Sequence, residues 1–424
     1  MLLSVENFKS IERVTDVDIA NLTVLAGVNS SGKSSLIQAL LLLKQTLTTS
    51  TSEKLNLDGP YVYADSLLDL MHNKQPGNMR FAIRILREEF SDYQICLLGQ
   101  DFLSIEISVV FRVKKNGSYD VGKFEIVWTR PYGRKQRLAV TRWPRKDVYD
   151  ISDDSRELRG MEIDGYSFAN FFPIYARKGK DVCDLSEVKK IRDALVDSLR
   201  RVVYIAPLRV APVLARSYKK DVETGYVLPD GENTRFILDR MSADRDRLAL
   251  VKEWLCGRFR LAKDIKVVKE SGERYRVVVT TNEDVRVDLV HMGFGLSQIL
   301  PIITQGCISE RGTLMIVEDP DVHMHPSIQA SMADFFIFLC QNRGVSVLVE
   351  THSDHFITRL RRRIAEEMVD HRMVHLIFVI NDYGESVYKT IPLSEKGRLQ
   401  GSMPPGFLDT RDLDFKAIIE ANMK

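Results

Sequence analysis

The chain has 424 residues with a formal net charge of +2, 28% charged and 44% hydrophobic residues, the balance of an ordinary globular protein. Near-zero net charge excludes a polybasic character, so any nucleic-acid contact has to come from a local patch. No signal-peptide pattern or run of about 18 apolar residues is present, and the five cysteines (Cys96, Cys183, Cys256, Cys307, Cys340) lack metal spacing. The expectation is therefore a cytoplasmic chain with reduced thiols and no membrane partner.

In chain order, Leu2-Leu-Ser-Val-Glu-Asn-Phe-Lys-Ser-Ile-Glu12 predicts a strand with a turn at Asn7 to Ser10. Leu22-Thr-Val-Leu-Ala26 predicts a buried strand, and Ser35-Leu-Ile-Gln-Ala-Leu-Leu-Leu-Leu-Lys44 a helix, with Lys44 ending the apolar run. Between them stands Gly27-Val-Asn-Ser-Ser-Gly-Lys-Ser34. Strand, glycine-rich loop and helix together form a phosphate-binding loop, whose N–H groups converge on triphosphate oxygens. Gly27, Asn29, Ser30, Ser31, Gly32, Lys33, Ser34 and Ser35 are the expected ATP-binding residues. Lys33 reaches the β- and γ-phosphates, and the Ser34 hydroxyl ligates Mg²⁺.

Residues 46–56 read as a polar loop. From Arg80 to Trp143 a β region is expected, with runs at Phe81–Ile85, Tyr93–Leu97, Leu103–Arg112 and Phe124–Trp128. Asn116-Gly117 is a hairpin signal within it, and an acidic polar stretch follows around Asp147 to Arg159. Residues 186–201 read as a helix, Val202–Ala206 as a strand, Pro229-Asp-Gly231 as a turn and 243–260 as a helix. The last third alternates strand and helix: Leu314–Val317, Ile328–Gln341, Val345–Glu350, His355–Glu367.

Two of these strands end in chemistry. Thr313-Leu-Met-Ile-Val-Glu-Asp319 ends in two carboxylates, a Walker B pattern. Glu318 is expected to hold Mg²⁺ and Asp319 to polarise the attacking water. The usual order is Asp then Glu, and the shorter base here predicts slow hydrolysis. Val347-Leu-Val-Glu-Thr-His-Ser353 ends in His352, whose imidazole can contact a γ-phosphate and water. His323 and His325 lack the spacing of a zinc site and read as structural or nucleotide-edge residues. His291-Met-Gly-Phe-Gly-Leu-Ser-Gln298 opens a helix. It reads either as a signature motif presenting Gly293, Gly295 and Ser297 to a partner subunit's ATP, or as a plain helix start.

With these residues in hand, the chain resembles the RecF/SMC-like branch of ABC ATPases, and within it the OLD-type AAA proteins of prokaryotes. The likeness runs through Val5-Glu-Asn-Phe-Lys-Ser10, the phosphate loop, Ile205-Ala-Pro-Leu-Arg209, Pro229-Asp-Gly-Glu232, Gly-Phe-Gly-Leu-Ser-Gln, Glu-Asp-Pro-Asp-Val-His-Met-His-Pro and Glu-Thr-His-Ser. Gly401-Ser-Met-Pro-Pro-Gly-Phe407 is similar to the short C-terminal module of one subgroup. The resemblance implies an α/β ABC-type P-loop NTPase head with a mixed sheet, an antiparallel β region and an inserted arm. The implied divisions are 1–79 and 202–384 for the two parts of the head, 80–201 for the arm and 385–424 for the C-terminal module. It also implies a head-to-head homodimer, or a higher even oligomer, around ATP. The Toprim domain of OLD nucleases and the coiled coils of SMC proteins are missing from the pattern, so nuclease activity and DNA tethering are not expected. The expected function is a slow ATPase that regulates a separate effector, a nuclease or toxin, in anti-phage defence. The alternative is a RecF-like ATP-dependent DNA-binding protein, motivated by the basic and aromatic segments within 128–146, which also read as solvated hairpin surface.

Overall fold

The computed structural model describes residues 1–49, 54–99, 102–142, 149–153, 162–163, 168–178, 180–210, 216–217, 225–270, 274–401 and 410–422. Most of the acidic stretch after Asp147, the second basic segment at 143–146, and 402–407 of the subgroup-like tail lie outside them. The chain folds as two compact units, one formed by Met1–Ile19, Asn29–Val202 and Val379–Tyr388, the other by Ala20–Val28, Val203–Phe378 and Lys389–Lys424.

The first unit is built on an antiparallel sheet. Strands β1 (Leu2–Phe8) and β2 (Ile11–Asp18) form its edge, followed by β4 (Gly77–Leu86), β5 (Ser104–Val113), β6 (Tyr119–Thr129) and β7 (Lys135–Arg142). Tyr149–Asp153, Glu162–Ile163, Tyr175–Lys178 and Asp181–Asp184 extend it to ten strands. Its register is fixed by apolar rows that cross from strand to strand. Leu3, Ile83, Ile107, Ile126 and Leu138 are successive partners, as are Val5, Phe81, Val109, Phe124 and Val140. A slip of one residue would turn these buried rows to solvent. The expected turns are present, with Lys9 at φ 51 between β1 and β2 and Gly117 at φ 79 between β5 and β6.

Two helices, α1 (Lys33–Thr49) and α3 (Ser186–Arg200), cover this sheet. Leu43 and Leu47 of α1 and Leu195 of α3 enclose a small apolar cavity with Phe81, Ile83, Ile107, Val109 and Phe171. The polar loop expected at 46–56 starts later than the sequence pattern implied, because α1 runs on to Thr49, and Lys44 lies within it. It is 5% exposed and its Nζ donates to the Leu199 carbonyl over 2.9 Å, satisfying an orphan acceptor at the end of α3. Gln45 is also buried, and its amide serves backbone groups of Asn56, Tyr61 and Val62. The run Tyr93–Leu97, read as a strand, is instead in helix α2 (Asp92–Leu98). Ser91 and Gln94 form a reciprocal capping box there, and that local hydrogen bonding decides an otherwise ambiguous short apolar run.

A second sheet has the order β8 (Val202–Ile205), β9 (Leu314–Glu318), β10 (Ser346–Thr351), β3 (Leu22–Ala26), β11 (Val374–Asp382), β12 (Glu385–Thr390); the second unit supplies nearly all of it as far as Phe378, and the end of β11 with most of β12 belongs to the 379–388 segment of the first. β9, β10, β3 and β11 are parallel neighbours. Tyr383 and Gly384, both at positive φ, join β11 to β12 in a turn only antiparallel neighbours permit. The chain is thus α/β, with an antiparallel sheet and a mixed one. The parallel strands are continuous apolar runs because both their faces are buried. Helices α4 (Phe294–Ile308), α5 (Pro326–Arg343) and α6 (Asp354–Ala365) belong to the second unit. One core joins Val24, Val317 and Val349 to Trp254, Ile303, Phe335, Phe336 and Phe356. A second antiparallel group, Arg216–Ser217, Asp264–Lys269, Arg274–Thr280 and Arg286–Asp288, was not expected from the sequence.

Burial lowers the Lys44 ammonium to about 8. The unfolded chain, near 10.4, then holds more protons than the native state between those values, so wild-type stability rises with pH across that window. Between pH 7 and pH 10 the Lys44→Met variant is expected to lose up to about 3 kcal/mol relative to wild type. Urea denaturation at both pH values measures this difference, and a constant offset would show that Lys44 is not desolvated.

Candidate nucleotide site

The phosphate loop leaves β3 at the sheet's carboxyl edge. Gly27 is buried, whereas Val28, Asn29 and Ser30 are exposed, and α1 begins at Lys33. Ser30 has φ 58 and Gly32 φ 98. A Cβ on Gly32 would stand 1.8 Å from Ser386 Oγ and 2.5 Å from Ser10 Oγ, so both conformation and space demand glycine.

Three successive loop carbonyls are held by the 379–388 hairpin of the same unit. Asn381 Nδ2 donates to the Ser30 carbonyl (3.3 Å), Ser386 Oγ to that of Ser31 (2.8 Å) and Tyr388 Oη to that of Gly32 (2.6 Å). In a trans peptide the N–H of the next residue points away from the carbonyl. The N–H groups of Ser31, Gly32 and Lys33 therefore face away from the hairpin, the arrangement of an anion nest. Ser10 joins the cradle through Ser386 Oγ (2.7 Å) and Ser35 Oγ (2.9 Å). Lys33 is 3% exposed, and Ser31 Oγ is buried with no hydrogen-bond partner among the described residues. Asn381, Ser386 and Tyr388 carried no local signal, because their role depends on a contact remote in sequence.

In the second unit, the ends of three parallel strands lie level. Glu318 pairs with Glu350 and Thr351 with Ala26, the last residue of β3. Glu318 is buried and accepts from Tyr204 Oη over 2.8 Å. Burial first, then the Glu318 charge, push the Tyr204 phenol above its ordinary range, so it stays a donor. Asp319 follows at φ 46, its N–H donating to the Glu350 carbonyl at 2.9 Å.

Asp319, Glu350 and His352 each offer a ligand atom, all within 4.8 Å of one another. The structure thus brings together the expected base and the expected switch histidine, with Glu350 as a carboxylate the sequence reading passed over. Its signal was available: an acid closing an apolar strand two residues before His352. Asp321 lies beside them, with its carboxyl raised above the usual range by burial although the Thr351 hydroxyl donates to it at 2.7 Å. Ser353 caps α6, accepting from the Phe356 N–H, and donates to Gln329 Oε1.

Arg209 is 6% exposed beneath this edge. Its Nη2 donates to the carbonyls of Glu318 (2.6 Å) and Asp319 (3.0 Å). Burial draws its guanidinium down to about 10, still charged at neutral pH, with Asp319 and Asp321 pulling it back up.

The glycine-rich turn does open a helix, with Gly293 as N-cap of α4. Gly293 and Phe294 are exposed, while Ser297 is buried with its hydroxyl donated to the Phe294 carbonyl at 2.7 Å. Gly295 packs near the His323 carbonyl, and the His323 ring meets Phe294 edge-on. His325 caps α5, its Nδ1 accepting from the Ser327 N–H, which is a structural role.

A glycine loop between a parallel strand and a helix, with acidic strand ends beside that strand, defines a P-loop NTPase of the α/β class. The chain belongs to the AAA ATPase domain family, which matches residues 1–198 and 226–357. It is similar to a solved SMC head bound to the C-terminal winged-helix domain of ScpA, at 14% identity over 92% of this chain and 98% of that one, with a TM-score of 0.46. It is also similar to the SMC head domain from Thermotoga maritima, at 13% identity over 92% and 98%, with a TM-score of 0.39. No curated protein matches the chain. Among the described residues no helix is long and apolar enough to cross a membrane.

Replacing Tyr388 with Phe removes the 2.6 Å bond that orients the Gly32 peptide. Losing about 1 kcal/mol of orientation is expected to weaken nucleotide affinity about fivefold. Gly32→Ala, which also meets Ser386, is expected to abolish binding. Fluorescent-nucleotide titration checks both, and a Tyr388→Phe affinity equal to wild type would show the hairpin to be irrelevant to the loop.

Proposed function

We propose that the chain binds MgATP and hydrolyses it slowly, and that ATP closes a homodimer, or a higher even oligomer, which controls a separate effector. The observation that carries this reading is the level carboxyl edge of β9, β10 and β3. Asp319 and His352 converge there, beside the strand that continues into the phosphate loop. Lys33 neutralises the β- and γ-phosphates, and the N–H groups turned away from the 379–388 hairpin cradle their oxygens. The Ser34 hydroxyl and the Glu318 carboxylate are hard-oxygen donors of the kind that suits Mg²⁺, and they would hold it. When bound, that ion supplies charge neutralisation for the departing phosphate. Asp319 accepts the proton of the attacking water and His352 orients it. The aspartate reaches one methylene less far than a glutamate would, which supports slow turnover.

Gly293 and Gly295 at the start of α4 offer a helix N-terminus to the ATP of the other protomer, while Ser297 steadies that turn. The head then comprises 1–79 and 202–384, with 80–201 as an arm and 385–424 as a C-terminal module. The OLD-type resemblance supports an effector of nuclease or toxin type in anti-phage defence, and a gene for it next to this one is expected. DNA binding through 128–146 takes second place. In the described part of that segment, Arg137 pairs with Glu125 and Arg142 with Asp120, which spends cations a phosphate backbone would need.

The composite site is tested by mixing two inactive variants. Lys33→Ala lacks nucleotide binding, and Gly295→Arg blocks closure while its own phosphate loop stays intact. One restored site per heterodimer is expected, so an equal mixture should recover about a quarter of wild-type turnover if exchange is random and each dimer counts one site of two. A mixture that stays inactive although heterodimers form would contradict the shared-site reading.

A further inference from the structure

Ile205-Ala-Pro-Leu-Arg209 has no part in the chemistry proposed so far, yet it carries a buried guanidinium. Burying that charge is costly unless its donors are used. Nη2 is used fully, on the consecutive carbonyls of Glu318 and Asp319, while Nε and Nη1 have no hydrogen-bond partner among the described residues. The segment that holds Arg209 is itself braced. Ala206 and Val210 donate to the carbonyls of Pro229 and Asp230 at 2.8 and 2.9 Å, and Gln298 of α4 reaches the Arg209 carbonyl.

Asp319 stands in the left-handed region at φ 46, a conformation that costs a non-glycine residue energy and persists only when its surroundings enforce it. The enforcement is visible at both of its peptide groups. Its N–H is fixed by Glu350 of β10 and its carbonyl by Arg209. The backbone clamp leaves its carboxylate beside Glu350 and His352. Arg209 also contributes the positive charge acting on Asp319 and Asp321.

We propose that Arg209 is the positioning residue for Asp319: it pins the turn after β9 so that the carboxylate stays aimed at the attacking water. This rests on Asp319 being the base. The groups facing Asp319 are Glu318 and Asp321 on its own turn, Glu350 and His352 from the end of β10, and Arg209 from the braced segment.

The test is steady-state ATP hydrolysis by the full chain, with ATP affinity and melting temperature measured alongside. Arg209→Gln is expected to lower kcat at least tenfold with KM and ATP affinity nearly unchanged. Arg209→Lys restores the charge without the two-carbonyl fork, so it is expected to recover only part of kcat. If Arg209→Gln does not fold, the Lys variant carries the test: lowered kcat at wild-type ATP affinity supports the assignment, and wild-type kcat overturns it. A Gln variant whose kcat falls only in step with its melting temperature and its ATP affinity would make Arg209 merely structural and also overturns it. Asp319→Asn separates the two layers. Wild-type turnover by that variant would sink the assignment of Asp319 as base, whereas an inactive Asp319→Asn beside a fully active Arg209→Gln would sink only the role given to Arg209.

Discussion

The parallel register of β9, β10 and β3 is the constraint on which the site depends. Glu318 opposes Glu350, and Thr351 opposes Ala26, so the strands finish on one edge and their next residues leave it together. That register is held by apolar side chains on both faces, such as Val24, Leu25, Ile316, Val317, Leu348 and Val349. The hydrophobic core therefore sets the spacing of the polar groups. Shifting one strand by a residue would invert its faces and carry its terminal carboxylate out of line.

The polar groups at this edge are costly to bury and are accommodated by fixed partners. Tyr204 donates to Glu318, Thr351 to Asp321, and Arg209 to two backbone carbonyls. The phosphate loop is treated in the same way within its own unit, where side chains of the 379–388 hairpin take the carbonyls and turn the amides outward. Both arrangements orient backbone before any ligand arrives, which lowers the cost of binding and of reaction.

The motifs were legible in the sequence because their chemistry is contiguous: the loop from Gly27 to Ser34, the strand closing on Glu318-Asp319, and the strand closing before His352. The antiparallel sheet was legible from alternation in runs such as Phe81–Ile85. Where the fold departs from the sequence pattern, the causes are physical. Tyr93–Leu97 is too short for its period to decide, and the Ser91–Gln94 capping box decided it. Residues 46–49 look like loop because they are mostly polar, whereas they extend α1 and the buried Thr46 hydroxyl donates to the Leu42 carbonyl. Glu350 was read only as part of a strand. Tyr388 and Arg209 act through partners far away in the chain, and no pattern within a window of residues reports such a contact.

In the proposed reaction Asp319 and His352 act on a nucleotide held by the Lys33 loop. A structure of the Asp319→Asn protein with MgATP is expected to show a γ-phosphate bonded by Lys33 and within hydrogen-bond reach of His352, with a water lying between that phosphate and the substituted carboxamide. A nucleotide seated on the loop with both His352 and that carboxamide out of reach would contradict it.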